Sequence, residues 1–379
     1  MHHAIQTYIE QGKHAGAVCV IARNGKIADF TLYGYRDLEK KAPMTPDTIF
    51  RIYSMSKVIT SAAVMQLFEE GKFNLTDPVA RYIPELKNLK VCTGGTVDEP
   101  TLVDATNAIT IKHLLTHTAG FAYDFSAQEP VRELYKKADL WNDQVTIKEF
   151  IQRLSKLPLV QQPGTAFNYG VNTDLLGYLV QVVSGKPLEV YLQEHVFGPL
   201  RMTDTGFDVP EEKLNRLAKL YETGTNGSLR EVAVPPFGAY AKKGRGFASG
   251  GGGLFSTIGD YLRFGQMLLN GGRLDGQQIL GKKTVELMTA NNLTFLPNGT
   301  LGGTQSDGFG LGGSVRLDVP KGNSLGSTGQ FGWSGAATTS FNMDPKEKTV
   351  ALLFVQHLPF NQYNIFARFQ TLFYASIVE

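Results

Sequence analysis

Ser54-Met55-Ser56-Lys57-Val58-Ile59-Thr60-Ser61-Ala62-Ala63-Val64-Met65-Gln66-Leu67-Phe68-Glu69-Glu70-Gly71 is the stretch from which the fold and the chemistry are both read. From Val58 to Phe68 apolar residues fall on nearly every side of a helical wheel, and Gly71 marks the stop, so the run predicts a helix buried all round. Ser54 and Lys57 stand three residues apart at its start, on one face and one turn from each other, which lets a hydroxyl and an amine touch. A serine hydroxyl is a poor nucleophile until a neighbouring base takes its proton, and an amine takes it only when burial or nearby charge keeps that amine neutral. The apolar helix supplies the burial. Partial positive charge at the helix N-terminus further favours a developing oxyanion. No other serine in the chain has a lysine three residues on.

The rest of the composition narrows the class. At 379 residues the chain is about two or three times the usual domain size, so a large core is available, in one big domain or two intergrown ones. Lys plus Arg total 37 against 35 Asp plus Glu, and no stretch is more basic than Lys242-Lys243-Gly244-Arg245, which excludes nucleic acid and anionic membrane as the main partner. The expected partner is a small molecule that need not be charged. Cys19 and Cys92 cannot build a disulfide framework or a four-cysteine metal site. The start, Met1-His2-His3-Ala4-Ile5-Gln6-Thr7-Tyr8, lacks the apolar core of a signal peptide, and no run is long enough to span a bilayer, so a cytoplasmic protein is expected. The 41 glycines point to tight turns and glycine-lined loops.

Along the chain, a short helix over 4–12 precedes two strand-like segments flanking Asn24-Gly25, the strongest hairpin signal present. From about 76 to 225 the pattern turns helical, at 109–116, 129–137, 146–155, 172–184 and 188–196, and strand signals almost vanish. They return after 230. Gly250-Gly251-Gly252-Gly253 leads into a helix marked by Thr257 and Asp260, spaced as in a capping box. Strands follow at 314–318 and 349–355, and a helix over about 362–377 closes the chain. This predicts an α/β (α+β) fold: an antiparallel sheet built from residues 1–75 and 230–379 and flanked by helices, with an all-helical domain over 76–229 and the active site in the cleft between them.

Two further segments carry candidate chemistry. In Phe167-Asn168-Tyr169-Gly170-Val171-Asn172 a tyrosine precedes an apolar helix and could enter a cleft from the helical side. A phenol beside an ammonium group relays protons readily; the alternative for Tyr169 is a packed aromatic with a satisfied hydroxyl. In Gly332-Trp333-Ser334-Gly335-Ala336, small residues let a strand backbone approach a ligand, and an edge N–H could form half of an oxyanion hole. A glycine bulge is the plain alternative.

Together the three segments resemble the serine β-lactamase and penicillin-binding-protein superfamily, most closely its class C-like branch, the family VIII carboxylesterases. The likeness runs on through Thr48-Ile49-Phe50-Arg51, Leu114-Leu115-Thr116-His117-Thr118-Ala119-Gly120, Phe197-Gly198-Pro199-Leu200 with Met202, and Ser249 to Leu254, so it covers most of the chain. The resemblance implies a β-lactamase-like fold, with Ser54 as acylated nucleophile, Lys57 as base, Tyr169 as proton relay, the N–H groups of Ser54 and Ala336 as oxyanion hole, and Trp333 lining the acyl pocket. Gly335 belongs to the same wall. No cofactor or metal is implied.

Departures from that pattern bear on the substrate. Penicillin-processing members usually have asparagine two residues after the tyrosine, where this chain has Val171, and a lysine-threonine-glycine strand motif where it has Trp333-Ser334-Gly335. An indole in place of an ammonium group favours neutral acyl groups, hence an esterase over a β-lactamase or D-alanyl-D-alanine carboxypeptidase. Acyl transfer to an added alcohol and a non-catalytic binding protein are the other rivals. Phe121, Tyr123, Phe125, Trp141, Phe237 and Tyr240 are the aromatics expected at the entrance of an apolar pocket for small esters. Several motifs read as decoys. Ser334 lacks the helix that a nucleophile elbow requires after it. Gly308 to Gly313 and Gly276 to Lys283 read as turns, not phosphate loops. His113 and His117, four apart without a zinc protease's glutamate, read as hydrogen-bonding structural histidines.

Overall fold

Asn24 and Gly25 both hold left-handed φ (52° and 74°), and they join strand β1 (Gly16–Arg23) to β2 (Lys26–Asp37) as a tight antiparallel hairpin. A computed structural model describes residues 1–236, 244 and 246–378. In it the hairpin is continued by Ala42–Pro43 (β3) on one side, and on the other by segments from the far end of the chain: Asp307–Phe309 (β4), Ser314–Arg316 (β5), Phe331–Gly335 (β6), Thr339–Asp344 (β7) and Thr349–Phe354 (β8). The eight strands run in the order β4-β5-β6-β7-β8-β1-β2-β3, antiparallel throughout. The two chain ends meet in mid-sheet, where Val20 lies opposite Leu352.

Because successive side chains alternate between faces, β1 serves two cores. Val18 and Val20 join the large core, and Ala17, Cys19 and Ile21 join a second one on the opposite face. The second face is covered by the first helix, α1 (His2–Glu10), and by the closing helix over Ile365–Ala375, which contribute Ile5, Ile365, Phe369 and Phe373. Beneath the other face, α2 (Ser56–Glu69) is buried from Ser56 to Leu67, as its apolar wheel requires. The large core continues past α2 into the helices of the middle segment, α3 (Ile111–Leu115), α4 (Val131–Lys137), α5 (Ile147–Leu154), α6 (Asn172–Ser184) and α7 (Leu188–Leu192). The later helices are α8 (Ile258–Leu269), α9 (Lys282–Thr289), α10 (Val319–Gly322) and the closing α11 (Ile365–Ala375).

Two expectations change. The middle segment, expected to be all-helical, holds a hairpin, Lys90–Gly95 with Pro100–Asp104. It lies largely in solvent, with Leu102 and Val103 exposed and Val91 alone buried, so no apolar alternation could be read. The box at the start of α8 is half formed. Thr257 Oγ1 accepts from Asp260 N–H, but the Asp260 carboxylate turns to Asp204 N–H and Thr205 Oγ1 instead of closing the loop. Among the described residues no helix is long and apolar enough to cross a membrane.

His14 and His357 form a buried edge-to-face pair, ring centroids 4.9 Å apart. Burial first, then His357 and Lys13, lowers His14 to about 3, and burial lowers His357 to about 4, against 6.5 for a free imidazole. Between those values the unfolded chain binds protons that the native state refuses, so stability rises with pH and is lost as pH falls below about 6.5. The guanidinium midpoint is expected to be lower at about pH 4.5 than at about pH 7.5, with His14→Phe weakening that dependence. An identical pH dependence in parent and variant would contradict it.

Candidate active site

Tyr53 holds a left-handed φ of 42°, a conformation that a bulky residue adopts only when its surroundings enforce it. It lies fully packed, and the turn over Tyr53–Met55 delivers Ser54 to the edge of a cavity as α2 begins. One helical turn on, Lys57 is completely buried, with Nζ 3.2 Å from Ser54 Oγ, 3.1 Å from the Tyr123 hydroxyl and 2.6 Å from the Gly251 carbonyl. A carbonyl only accepts, so one N–H is committed to Gly251 whatever the charge of the amine. As an ammonium the group donates to all three oxygens. As an amine it donates to Gly251 and Tyr123 and keeps a lone pair for the Ser54 proton.

Behind Gly251 stands Asp174, in the first turn of α6 and 1% exposed. Its Oδ1 accepts from Ser249 Oγ and from Gly251 N–H at 3.1 Å, so Gly251 is fixed at its amide by Asp174 and at its carbonyl by Lys57. Burial raises the Asp174 carboxyl above the ordinary range, although Ser249, Lys57 and the Gly251 N–H oppose the shift. Burial, with Asp174 and Tyr169, also pushes the Tyr123 phenol well up, which keeps it a protonated donor.

Tyr169 enters from the helical side and Trp333 from the sheet. Trp333 Nε1 donates to the Tyr169 hydroxyl at 3.2 Å, and Lys57 Nζ lies 4.8 Å from the Tyr169 ring centroid, within cation–π range. His117 fixes the turn that carries Tyr169. Its Nδ1 accepts from Gly170 N–H at 3.3 Å and from Asn172 Nδ2 at 2.8 Å, which assigns the ring proton to Nε2. Burial, then Lys57, holds this imidazole well below its usual range, so it is neutral. His113 does different work, accepting from Thr110 N–H at the start of α3.

On the sheet side, β5 pairs with Phe331 and Gly332 of β6 and stops there, freeing the edge from Trp333 onward. A Cβ at Gly335 would lie 2.3 Å from the Ile52 carbonyl oxygen. Glycine therefore lets β6 press against the segment that carries Ser54. Ala336 and Ser54 consequently line the same cavity, of about 530 Å³, together with Phe125, Tyr169 and Trp333. Phe125, 61% exposed, stacks on Tyr123 at 5.0 Å, with Trp141 on the same ring at 5.5 Å. Phe121 is corrected: it is fully buried in the large core, because the chain turns its ring inward while its carbonyl accepts from Asn168 Nδ2. Phe237 and Tyr240 lie outside the described residues. Ser334 sits in β6 and is followed by a hairpin into β7, not by a helix. The sequence assigns no role to Asp174, and it presents Ser249 and Gly251 only as part of the glycine-rich segment before α8. The available signal is Asp174 as the one charged residue in α6. Among the described residues no group of three or more His, Cys, Asp or Glu could hold a metal ion.

Two outcomes follow from this packing. Gly335→Ala forces Ile52 to move, at about 1–3 kcal/mol in unfolding free energy; a variant with parental stability in denaturant titration would show that the close approach is dispensable. The native Asp174 carboxyl keeps its proton at pH values where the unfolded chain has lost it, so its burial costs stability as pH rises through that window. Asp174→Asn retains an acceptor for Ser249 and Gly251, and its stability relative to the parent should improve with rising pH and then level off, as read by denaturant titration. A difference constant with pH would exclude the shift.

The Beta-lactamase family model matches residues 1–375. The lovastatin esterase of Penicillium rubens is 30% identical over 364 residues, covering 91% of this chain and 90% of that protein. Among solved structures, simvastatin synthase (LovD) from Aspergillus terreus superposes with a TM-score of 0.85 at 28% identity, covering 100% of this chain and 98% of that one. EstCE1, described as a hydrolase with promiscuous acyltransferase activity, gives 0.78 at 27% identity, covering 94% and 92%. With its eight-stranded antiparallel sheet and flanking helices, this chain belongs to the beta-lactamase family of serine hydrolases, with esterases and acyltransferases among its relatives.

Proposed function

We propose that this enzyme is a carboxylesterase acting on small, largely apolar esters through a covalent acyl-enzyme. The observation that carries the reading is the 3.2 Å contact between Ser54 Oγ and a fully buried Lys57 Nζ at the wall of a cavity. Ser54 attacks the ester carbonyl while the Lys57 amine takes its proton. The N–H groups of Ser54 and Ala336 receive the oxyanion, and Tyr169 helps pass the proton to the departing alcohol. Water then attacks the acyl group, and Ser54 recovers its proton as the acid leaves. In this assignment the helical domain (76–229) contributes Tyr123 and Tyr169, the mixed domain (1–75 and 230–379) contributes Ser54, Lys57 and Trp333, and the cleft between them is the active site.

The choice of ester over lactam rests on Trp333. An indole that donates to Tyr169 offers no cation for a carboxylate, and with Phe125 it makes the wall apolar. The description of EstCE1 favours one second reading, acyl transfer to an alcohol, recognised as product formed on an added alcohol faster than hydrolysis.

A fluorophosphonate should add once, on the peptide containing Ser54, and intact mass after an ester pulse should show the acyl adduct. Label on a Ser334 peptide would reject the assignment. Lys57→Arg should abolish acylation in a folded protein, and Tyr169→Phe should lower kcat about a hundredfold or more. A parental rate in either variant would remove that residue from the mechanism, and faster turnover of cephalosporins than of simple esters would overturn the substrate class.

A further inference from the structure

Helix α11 places Phe366, Phe369, Gln370, Phe373 and Tyr374 at i, i+3, i+4, i+7 and i+8, which is one helical face. Over β1 and β8 that face is closed, since Phe369 and Phe373 are buried in the second core with Cys19 and Leu353. Over the β6–β7 hairpin it stands off. The cavity of about 530 Å³ that holds Ser54 extends through this gap, with these five residues along its wall.

The hairpin's alternation explains the gap. Trp333 and Phe341 are paired and project to the inner face, where Trp333 packs on Tyr169 and Phe341 on Tyr261. Their neighbours project outward as a floor of small or polar residues: Ser334 opposite Ser340, Gly332 opposite Asn342, and Ala351 beside Asn342 on β8. None of these hairpin side chains is large enough to meet the phenylalanines; the longer Arg316 of β5 also lines the cavity, where it is held by Asp307 in an ion pair at 2.7 Å. Ser54, Ala336 and Gln330 all line the groove. Six residue steps along the strand separate Ala336 from Gln330, which is about 20 Å. A small acyl group would occupy only the reactive end.

We propose that this groove is a substrate subsite holding an elongated apolar arm of the ester whose carbonyl sits at Ser54. The inference rests on the serine-esterase chemistry above and replaces its small ester by a longer one: esters with a compact reacting end and a long hydrocarbon chain on one side. Continuity with the Ser54 cavity assigns the occupant, because a chain lying there remains attached to the reacting carbonyl. The aromatic wall supplies the apolar surface that the chain buries.

Two ester series distinguish the arms. In p-nitrophenyl esters from acetate to decanoate the acyl chain grows, and in alkyl acetates from methyl to decyl the alcohol grows. In one series kcat/KM should rise about two- to fourfold per added methylene until the groove is filled. Ser340→Trp, which fills the floor, should lower the ratio of kcat/KM for the longest over the shortest member at least tenfold. A flat profile in both series, or a ratio unchanged by Ser340→Trp, overturns the subsite. The folded parent supplies a second measure: a decyl fluorophosphonate should inactivate Ser54 faster than its methyl analogue. Equal inactivation rates defeat the groove alone and leave the serine chemistry standing, whereas no adduct on Ser54 with either reagent defeats both readings.

Discussion

A lysine with no exposed surface is the constraint on which the site depends. A buried cationic group without partners costs several kcal/mol, and a buried amine still needs acceptors for its N–H groups. Lys57 finds its oxygens in three places: its own helix start, the middle segment through Tyr123, and the glycine loop through Gly251, 194 residues away. Satisfying one side chain therefore pins three segments at the spot where Ser54 faces the cavity. Asp174 completes the arrangement from behind, holding Gly251 so that its carbonyl is presented to Nζ.

The sheet side is set by size. Gly335 allows contact with Ile52, and Trp333 fills the room beyond while donating to Tyr169. That indole reaches the phenol from one direction and His117, ring centroids 4.8 Å apart from Tyr169, supports it from another. A cation in the position of Trp333 would offer an anion anchor but no comparable aromatic packing against Tyr169 and Phe309. The apolar character of the wall and the orientation of the phenol are thus carried by one residue.

What could be read from the sequence divides along locality. The Asn24-Gly25 hairpin, the buried α2 and the Ser54–Lys57 contact are short-range, governed by turn chemistry and helical spacing, and they stand where the pattern put them. Sheet assembly from both ends was legible because strand signals cluster there. The carbonyl partner of Lys57 was not, since nothing in a glycine run shows which oxygen will be presented to an amine. Phe121 was misplaced for a related reason: proximity to a motif does not tell which way a ring points, and its neighbour Tyr123 reaches Lys57 while Phe121 enters the core. The hairpin over 90–104 escaped because it buries Val91 alone, which is too little to impose a pattern.

The same division separates reactivity from selectivity. Ser54, in the turn that opens α2, and Lys57, in its first turn, lie three residues apart, so their contact is specified wherever that helix is buried. The walls around it are brought from far along the chain: the β6–β7 hairpin, Tyr169 at the entry to α6, and α11 at the C-terminal end. A change in the floor of the hairpin or the face of α11 reshapes the cavity without touching the Lys57 contacts. The contacts of Lys57 are thereby held by α2 and its acceptors, while the shape of the cavity depends on elements brought from the middle and the end of the chain.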